Sequence, residues 1–432
     1  MTRLRKLFSA FLLYLLLAAG MSTQAQDSSD TGITLDPDVA GDVEFWHFWG
    51  SEVRRDAINR VIDECEAQLP NINVIEVFKP FGDIWTANLA AVAGRSGMPD
   101  VIVADRPQLP RDGAEGVYQS LQPFIDADDL NTDVFWPFTW EQTLYEGESY
   151  GIPFETDVRV LFYNADALDE AGLDVPESWD DLWAVADELD EIDDDGTIQR
   201  MTFFPLEGNV GPDLWVETKG YDLVQDGHPQ VDDPKMVETL EWVQEWIDRY
   251  GGWDNVQTFL EGFDAPPNDA FMSESLLMKV DVAGYTSTVR FYEPDFEWSA
   301  ALPPYEEEPA SSSGGFALSI PTGAANADAA WEFIKCAADT PGQVSWSRDT
   351  FSIPTIQASA HDEGLMEDEL WPFFVEAMEV SGAFPYVSGY PNWTGELSNN
   401  YEKVWSGEQS AADMLEEAQK AIDAQIDEAG GN

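Results

Sequence analysis

The chain reads as an α/β protein of two lobes, each a mostly parallel sheet flanked by helices. Three observations predict this. Between residues 43 and 104, strand and helix patterns alternate in βαβαβ order, the arrangement that builds parallel sheets with helices on both faces. The alternation resumes after residue 158. The roughly 400 residues that follow the leader exceed what one hydrophobic core organises. No internal repeat is visible, so solenoids and propellers are excluded.

Residues 1–25 read as an export signal: Arg3, Arg5 and Lys6, an apolar run over 7–19, and a small-residue cleavage site at Thr23-Gln24-Ala25. The run is too short to span a bilayer and no cysteine follows to accept a lipid, so a periplasmic or secreted product is expected. Residues 26–42 are small, polar and acidic and read as a disordered lead-in. Strands are predicted over 43–48, 72–78 and 101–104, with helices over 52–69 and 84–93 between them.

In the segment 151–189, a β-branched and aromatic run over 158–163 stops at Asn164, and the helix after it ends at Gly172, the usual left-handed terminator. Ser178 and the acids behind it cap the next helix, whose apolar face carries Leu182, Trp183, Val185, Ala186 and Leu189. A strand over 201–204, a helix around Leu214 and a long helix over 234–250 follow. The long helix has a core stripe at i, i+3, i+4 spacing. Strands are predicted over 277–282, 297–301 and 316–320, with a Pro-, Glu-, Ser- and Gly-rich loop at 303–315. Helices over 327–338, 370–380 and 411–426 complete the chain.

Acids outnumber bases 83 to 21, giving a net charge of −62, and they are dispersed rather than gathered into a tail. Such a surface repels nucleic acid and anionic membranes and suits a salty medium. The 44% hydrophobic content excludes a disordered chain. Cys65 and Cys336, the chain's two cysteines, each lie on the apolar side of a predicted helix. They read either as buried thiols or as one disulfide. With three scattered histidines and no HExxH spacing, no metal site or cofactor is expected.

Seven segments occur in the order found in the family 1 extracellular solute-binding proteins that serve ABC sugar importers, and the chain is similar to that maltose-binding-protein-like family from residue 43 onward. They are VEFWHFWGSE, PDVIVADRPQL, FWPFTWEQTLYEGESYGIP, DAFMSESLLMK, ALPPYEE, GGFALSIPTGAANADAAWEFIKCAAD and VWSGEQSAADMLEEAQKAI. The resemblance implies a type II periplasmic-binding-protein-like fold. Its first lobe would be 43–154 plus 303–339 and its second 155–302 plus 340–432, closing on ligand by a hinge. It also implies a non-catalytic monomer that captures a carbohydrate, expected to be an oligosaccharide, between the lobes and delivers it to ABC permease transmembrane subunits. No nucleic acid and no stable membrane insertion are expected.

A sugar site needs aromatic platforms beside bidentate polar groups. Motif matching nominates Trp46, Trp215, Tyr285 and Trp393 as platforms, and Asp105, Arg106 and Asp157 as hydroxyl binders, with Glu155 and Glu207 as further candidates. Gly315 would let backbone approach the ligand. Each has a structural alternative: a core tryptophan, an Asp105–Arg106 ion pair, a cap or salt bridge at Asp157, a plain turn at Gly315. Paired acids near aromatics also build glycoside hydrolases or lyases, and the same fold could take a glycerol phosphodiester or ferric ion instead.

Overall fold

A computed structural model describes residues 31–383, 387, 390 and 393–430; residues 1–25, where an export signal is expected, lie outside the described residues. Two sheets organise the chain. In the first, strands lie side by side in the order Ile353–Pro354, Ile152–Thr156, Gly315–Ser319, Val101–Asp105, Gly41–His47, Ile72–Phe78. In the second the order is Trp298–Ala301, Arg159–Asn164, Leu276–Val282, Ile198–Gly208, Glu191–Ile192.

The α/β class holds, but the sheets are mixed rather than mostly parallel. Gly41–His47 runs parallel to both Ile72–Phe78 and Val101–Asp105, and Leu276–Val282 runs parallel to Ile198–Gly208. Gly315–Ser319 is antiparallel to Val101–Asp105, and Arg159–Asn164 is antiparallel to Leu276–Val282. The crossings explain this. A strand entering one sheet from the other enters at the end facing its origin, which is the carboxyl end of the parallel strands, so it must run against them.

Local signals are met where they were strongest. Ser178 and Asp181 form a reciprocal capping box on the helix Trp179–Leu189, and Gly172 ends the preceding helix with a φ of 71°. The helix Pro234–Arg249 buries Met236, Leu240, Val243, Trp246 and Ile247. Its tryptophans stack in pairs with those of Trp179–Leu189: Trp242 on Trp179 and Trp246 on Trp183, both with 4.0 Å between ring centroids. Much of the tryptophan richness is therefore core packing in the second lobe.

Two boundaries differ from expectation. Residues 31–40 are packed rather than disordered: Thr31 Oγ1 donates to Asp339 at 3.0 Å, and buried Lys335 donates to the Thr34 carbonyl at 2.8 Å. Residues 340–354, expected in the second lobe, pack with the first sheet. The helix Thr340–Thr350 lies on Glu52–Gln68, the Trp346 ring sits 4.4 Å from that of Trp49, and Ile353–Pro354 pairs with Ile152–Thr156. The apolar faces of Trp49 and Phe154 need a cover, and Trp346 supplies it.

Cys65 and Cys336 are joined in a disulfide, linking Glu52–Gln68 to Ala327–Ala338 across 271 residues of sequence. Among the described residues no helix is long and apolar enough to cross a membrane.

Candidate functional site

Strand register brings the same kind of sheet edge together from both lobes. Gly315 pairs with Thr156 and Phe316 with Asp105, so the carboxyl ends of the first sheet's parallel strands lie beside the crossing. In the second sheet Val282 pairs with Arg159, and Gly208 lies opposite Val280. Only Asp157 and Val158 separate the crossing strands. The carboxyl ends of both sheets therefore face one another, which is where open α/β sheets bind ligands.

The two crossings are laced together. Ser313 Oγ donates to the Asp157 carbonyl at 2.7 Å, and the Gly314 amide donates to Asp157 Oδ1 at 2.9 Å. Beneath them Arg106 is fully buried. Its Nε donates to Gln142 Oε1 at 2.8 Å. Its Nη atoms donate to the Glu155 carbonyl at 3.4 Å, to Thr156 Oγ1 at 3.1 Å and to the Gly314 carbonyl. Burial lowers its pKa to about 10, opposed by the charges of Asp157, Asp105 and Glu155. Arg106 is thus a fastener of the crossings, not an open ligand group and not a direct ion pair with Asp105. Glu155 is likewise internal: it accepts from Trp346 Nε1, and burial raises its pKa. Gly315, at φ +115°, meets backbone instead of ligand, since a Cβ there would lie 2.4 Å from the Glu155 carbonyl oxygen.

Three nominated platforms are core residues. Trp46 lies within its strand, 6% exposed, with Nε1 on Glu44 at 2.6 Å and the Lys79 ammonium 3.8 Å above its ring. Trp215 is fully buried, donating to the Pro205 carbonyl at 2.7 Å. Trp393 is buried in the second-lobe core. Strand periodicity turns Trp46 inward and helix periodicity turns Trp215 inward, while Trp393 is buried from a turn.

Tyr285 is also buried, with its hydroxyl donating to Asp269 and the Lys279 ammonium 4.2 Å from its ring. It stands beside Glu207, whose pKa burial raises. Asp157 is engaged by Arg159 as well as by Gly314. Asp105 ends its strand at the cleft, where burial, opposed by Arg106, raises its pKa to about 6.

Other aromatic rings here reach the surface, Phe81 exposed and Phe48, Trp85 and Phe316 half-buried, with Trp85 Nε1 donating to the Val103 carbonyl at 3.1 Å. Phe48, one residue beyond the first strand, contacts Phe316 at 4.7 Å and Phe81 at 5.1 Å between centroids. Trp85 closes the group, 5.0 Å from Phe81 and 6.4 Å from Phe316. Trp85 also lines a notch of about 320 Å³ with Leu89, Asp105, Gln108, Arg111 and Asp112. On the second lobe a hollow of about 480 Å³ is lined by Arg159, Asn209, Gly211, Asp213 and Ser312.

The arginines that line these two hollows are neutralised nearby. Arg111 pairs with Asp112 at 2.7 Å, Arg159 with Asp157, and Lys279 with Asp281 at 2.9 Å. A third hollow, of about 540 Å³, is edged by Glu217, Asp222, Glu308 and Glu379; burial, with repulsion from Asp213 and Asp222, pushes Glu217 up to about 8.

The profile of the bacterial extracellular solute-binding proteins matches residues 60–372. The chain belongs to this family. Among its solute-binding relatives, an arabinooligosaccharide-binding protein of Halalkalibacterium halodurans is 26% identical over 51% of this chain and 49% of its own length. The chain thus spans about half the length of that relative. A maltotriose-binding protein of Pyrococcus abyssi is 21% identical over 87% of this chain and 78% of its own. The solved structure of CpMnBP1 with mannotriose bound superposes with a TM-score of 0.79 at 23% identity, covering 88% of this chain and 99% of that one. This likeness establishes the type II binding-protein fold.

In this solute-binding protein the nominated rings Trp46, Trp215, Tyr285 and Trp393 are buried, whereas Phe48, Phe81, Trp85 and Phe316, which were not nominated, reach the surface in part or in full beside the ends of the first sheet's strands. From the sequence Phe48 reads as the last residue of the first strand, whereas the strand pairing ends at His47 and leaves Phe48 just beyond it.

Proposed function

We propose that this chain is the binding component of an ABC importer for a neutral carbohydrate. The observation that carries the reading is the pairing of an aromatic group with self-neutralised ions at the facing sheet ends. Sugar rings offer apolar C–H faces edged by hydroxyls, which suit rings such as Trp85 beside Asp105 and Gln108. A phosphate ligand would call on cations not already held by carboxylates, whereas Arg111, Arg159 and Lys279 each hold an aspartate. The names of the arabinooligosaccharide-binding and maltotriose-binding relatives support the same class, while another relative, 23% identical over 88% of this chain, is named for sn-glycerol 3-phosphate.

In this reading residues 1–25 direct export and are removed, and the protein acts outside the cytoplasmic membrane as a monomer. The first lobe comprises 43–154 and 303–339 together with the packed segment 340–354; the second comprises 155–302 and the remaining C-terminal chain. Ligand held on one lobe gains contacts with the other, and the open–closed equilibrium shifts by its differential affinity for the two states. The closed form is what permease subunits recognise, and no covalent step is involved.

Thermal-shift screening of the mature protein tests this. Neutral oligosaccharides should raise the midpoint, a saturating one by the equivalent of about 2.7 kcal/mol at a hundredfold excess over Kd. A shift with sn-glycerol 3-phosphate or ferric ion and none with sugars would overturn the ligand class, and turnover of a bound oligosaccharide would overturn the non-catalytic role.

A further inference from the structure

Arg159 stands two residues past Asp157 on an extended chain, so the two side chains leave on the same face and meet. Asp157 lies in the first crossing, whereas Arg159 opens the second-lobe strand Arg159–Asn164. The guanidinium then reaches three segments remote from one another in sequence. Its Nη1 donates to Asp157 Oδ1 and, at 3.3 Å, to the carbonyl of Ser312 in the second crossing. Its Nε donates to the Asn209 carbonyl at 3.2 Å and its Nη2 to Asn209 Oδ1 at 2.8 Å. Ser311 Oγ accepts from the Arg159 amide and donates to the Arg159 carbonyl, both at 2.9 Å, so the second crossing holds the main chain here as well.

Asn209 is fixed to the second lobe. Its amide donates to the Val280 carbonyl at 3.0 Å. Gly208 before it, at φ +105°, has no room for a side chain, since a Cβ would meet that same carbonyl oxygen. The loop over 208–211 leads into the helix Pro212–Glu217 and, with Arg159, Asp213 and Ser312, walls the hollow of about 480 Å³. Two of the guanidinium's bonds therefore go to segments that must turn when the lobes move, and two go to a loop that travels with the second lobe.

From this arrangement we infer that Arg159 is a positioning residue that couples the loop over 208–211 to both crossings, so that ligand in the hollow biases the angle between the lobes. The inference rests on the carbohydrate-binding reading above. Rotation in the crossings changes where Asp157 and Ser312 stand relative to the second lobe, while Asn209 keeps its place. A guanidinium is a rigid fork, so it satisfies both sets of partners over a narrow range of lobe angles. A ligand that draws on Asn209 shifts that range, and by linkage the lobe angle changes the ligand's affinity by the same factor.

Spin labels on exposed helix positions, Asp56→Cys in the first lobe and Glu245→Cys in the second, report the distance between lobes by double electron–electron resonance. The native cysteines are bonded to each other and take no label. In the sugar-free protein Arg159→Gln should shift or broaden the distance distribution, Asn209→Ala should do the same, and the double variant should go no further, because both remove one connection. Arg159→Lys should resemble Arg159→Gln, since an ammonium keeps the charge without the fork. Affinity for the oligosaccharide that the wild type binds should fall about fivefold or more in each single variant and no further in the double one. Asn209→Ala, which leaves the Asp157 pair intact, decides the matter if Arg159→Gln does not fold. A lowered melting temperature with wild-type distances would make Arg159 a fastener only, lost affinity with wild-type distances would make it a ligand contact only, and full rescue by Lys would reduce its role to charge. Each of these would overturn the coupling. A wild-type protein that binds no sugar would overturn the carbohydrate reading, and the sugar-free distances would still decide the coupling.

Discussion

At the scale of single residues, the same chemistry serves inside and outside the cleft, and burial decides which. Arg106 has the composition of a sugar-binding group, yet its guanidinium is spent on Gln142, Thr156 and two carbonyls of the crossings. Arg106→Ala should therefore cost about 3–5 kcal/mol of stability, because four buried acceptors lose their donor. Arg106→Lys should not restore it, since an ammonium cannot reproduce the planar fork. Urea denaturation reads this. A variant with wild-type stability and lost sugar affinity would return Arg106 to the list of ligand contacts. Trp46 and Phe48 make the complementary point. Two positions apart, one lies within the strand under Lys79 and the other just beyond its end, where it meets Phe316 and Phe81. Motif matching located that loop; where the pleat stopped was settled by pairing with Ile72–Phe78, which ends at His47.

Among elements, the two segments of the first lobe are joined covalently as well as by packing. Helix Glu52–Gln68 comes from the first segment and Ala327–Ala338 from the returning one, and Cys65–Cys336 bridges them. Such a bond restricts the unfolded chain, and its removal is expected to cost about 2–5 kcal/mol. Cys65→Ser with Cys336→Ser, or reduction by dithiothreitol, should lower the denaturation midpoint accordingly. Equal midpoints before and after reduction would mean that the thiols are not joined in solution. Both helices, and the apolar faces that carry the cysteines, were legible from spacing and capping. The bond was not, because sequence spacing carries no information about the 5.7 Å separation of the two Cα atoms. The helix Thr340–Thr350 was misplaced for a related reason: nothing local distinguishes a helix that continues the first lobe from one that opens a return to the second.

For the whole molecule, a net charge of −62 makes self-repulsion a standing cost of the compact state. Salt at about 1 M shortens the screening length to about 3 Å, so the melting temperature should rise from low to molar salt. A midpoint that does not move would show that the dispersed acids are already balanced within the fold. Charge, α/β alternation, the main helices with their caps, and the two-lobed architecture follow from the sequence alone, because periodicity, capping and composition act over a few residues at a time. Strand direction, the destination of residues 340–354, the disulfide, and the burial of Trp46, Trp215 and Trp393 while Phe48, Phe81, Trp85 and Phe316 reach the surface were decided only by tertiary structure. Each depends on which distant segment covers a side chain, and burial by a distant partner turns a ligand-like tryptophan or arginine into a structural one.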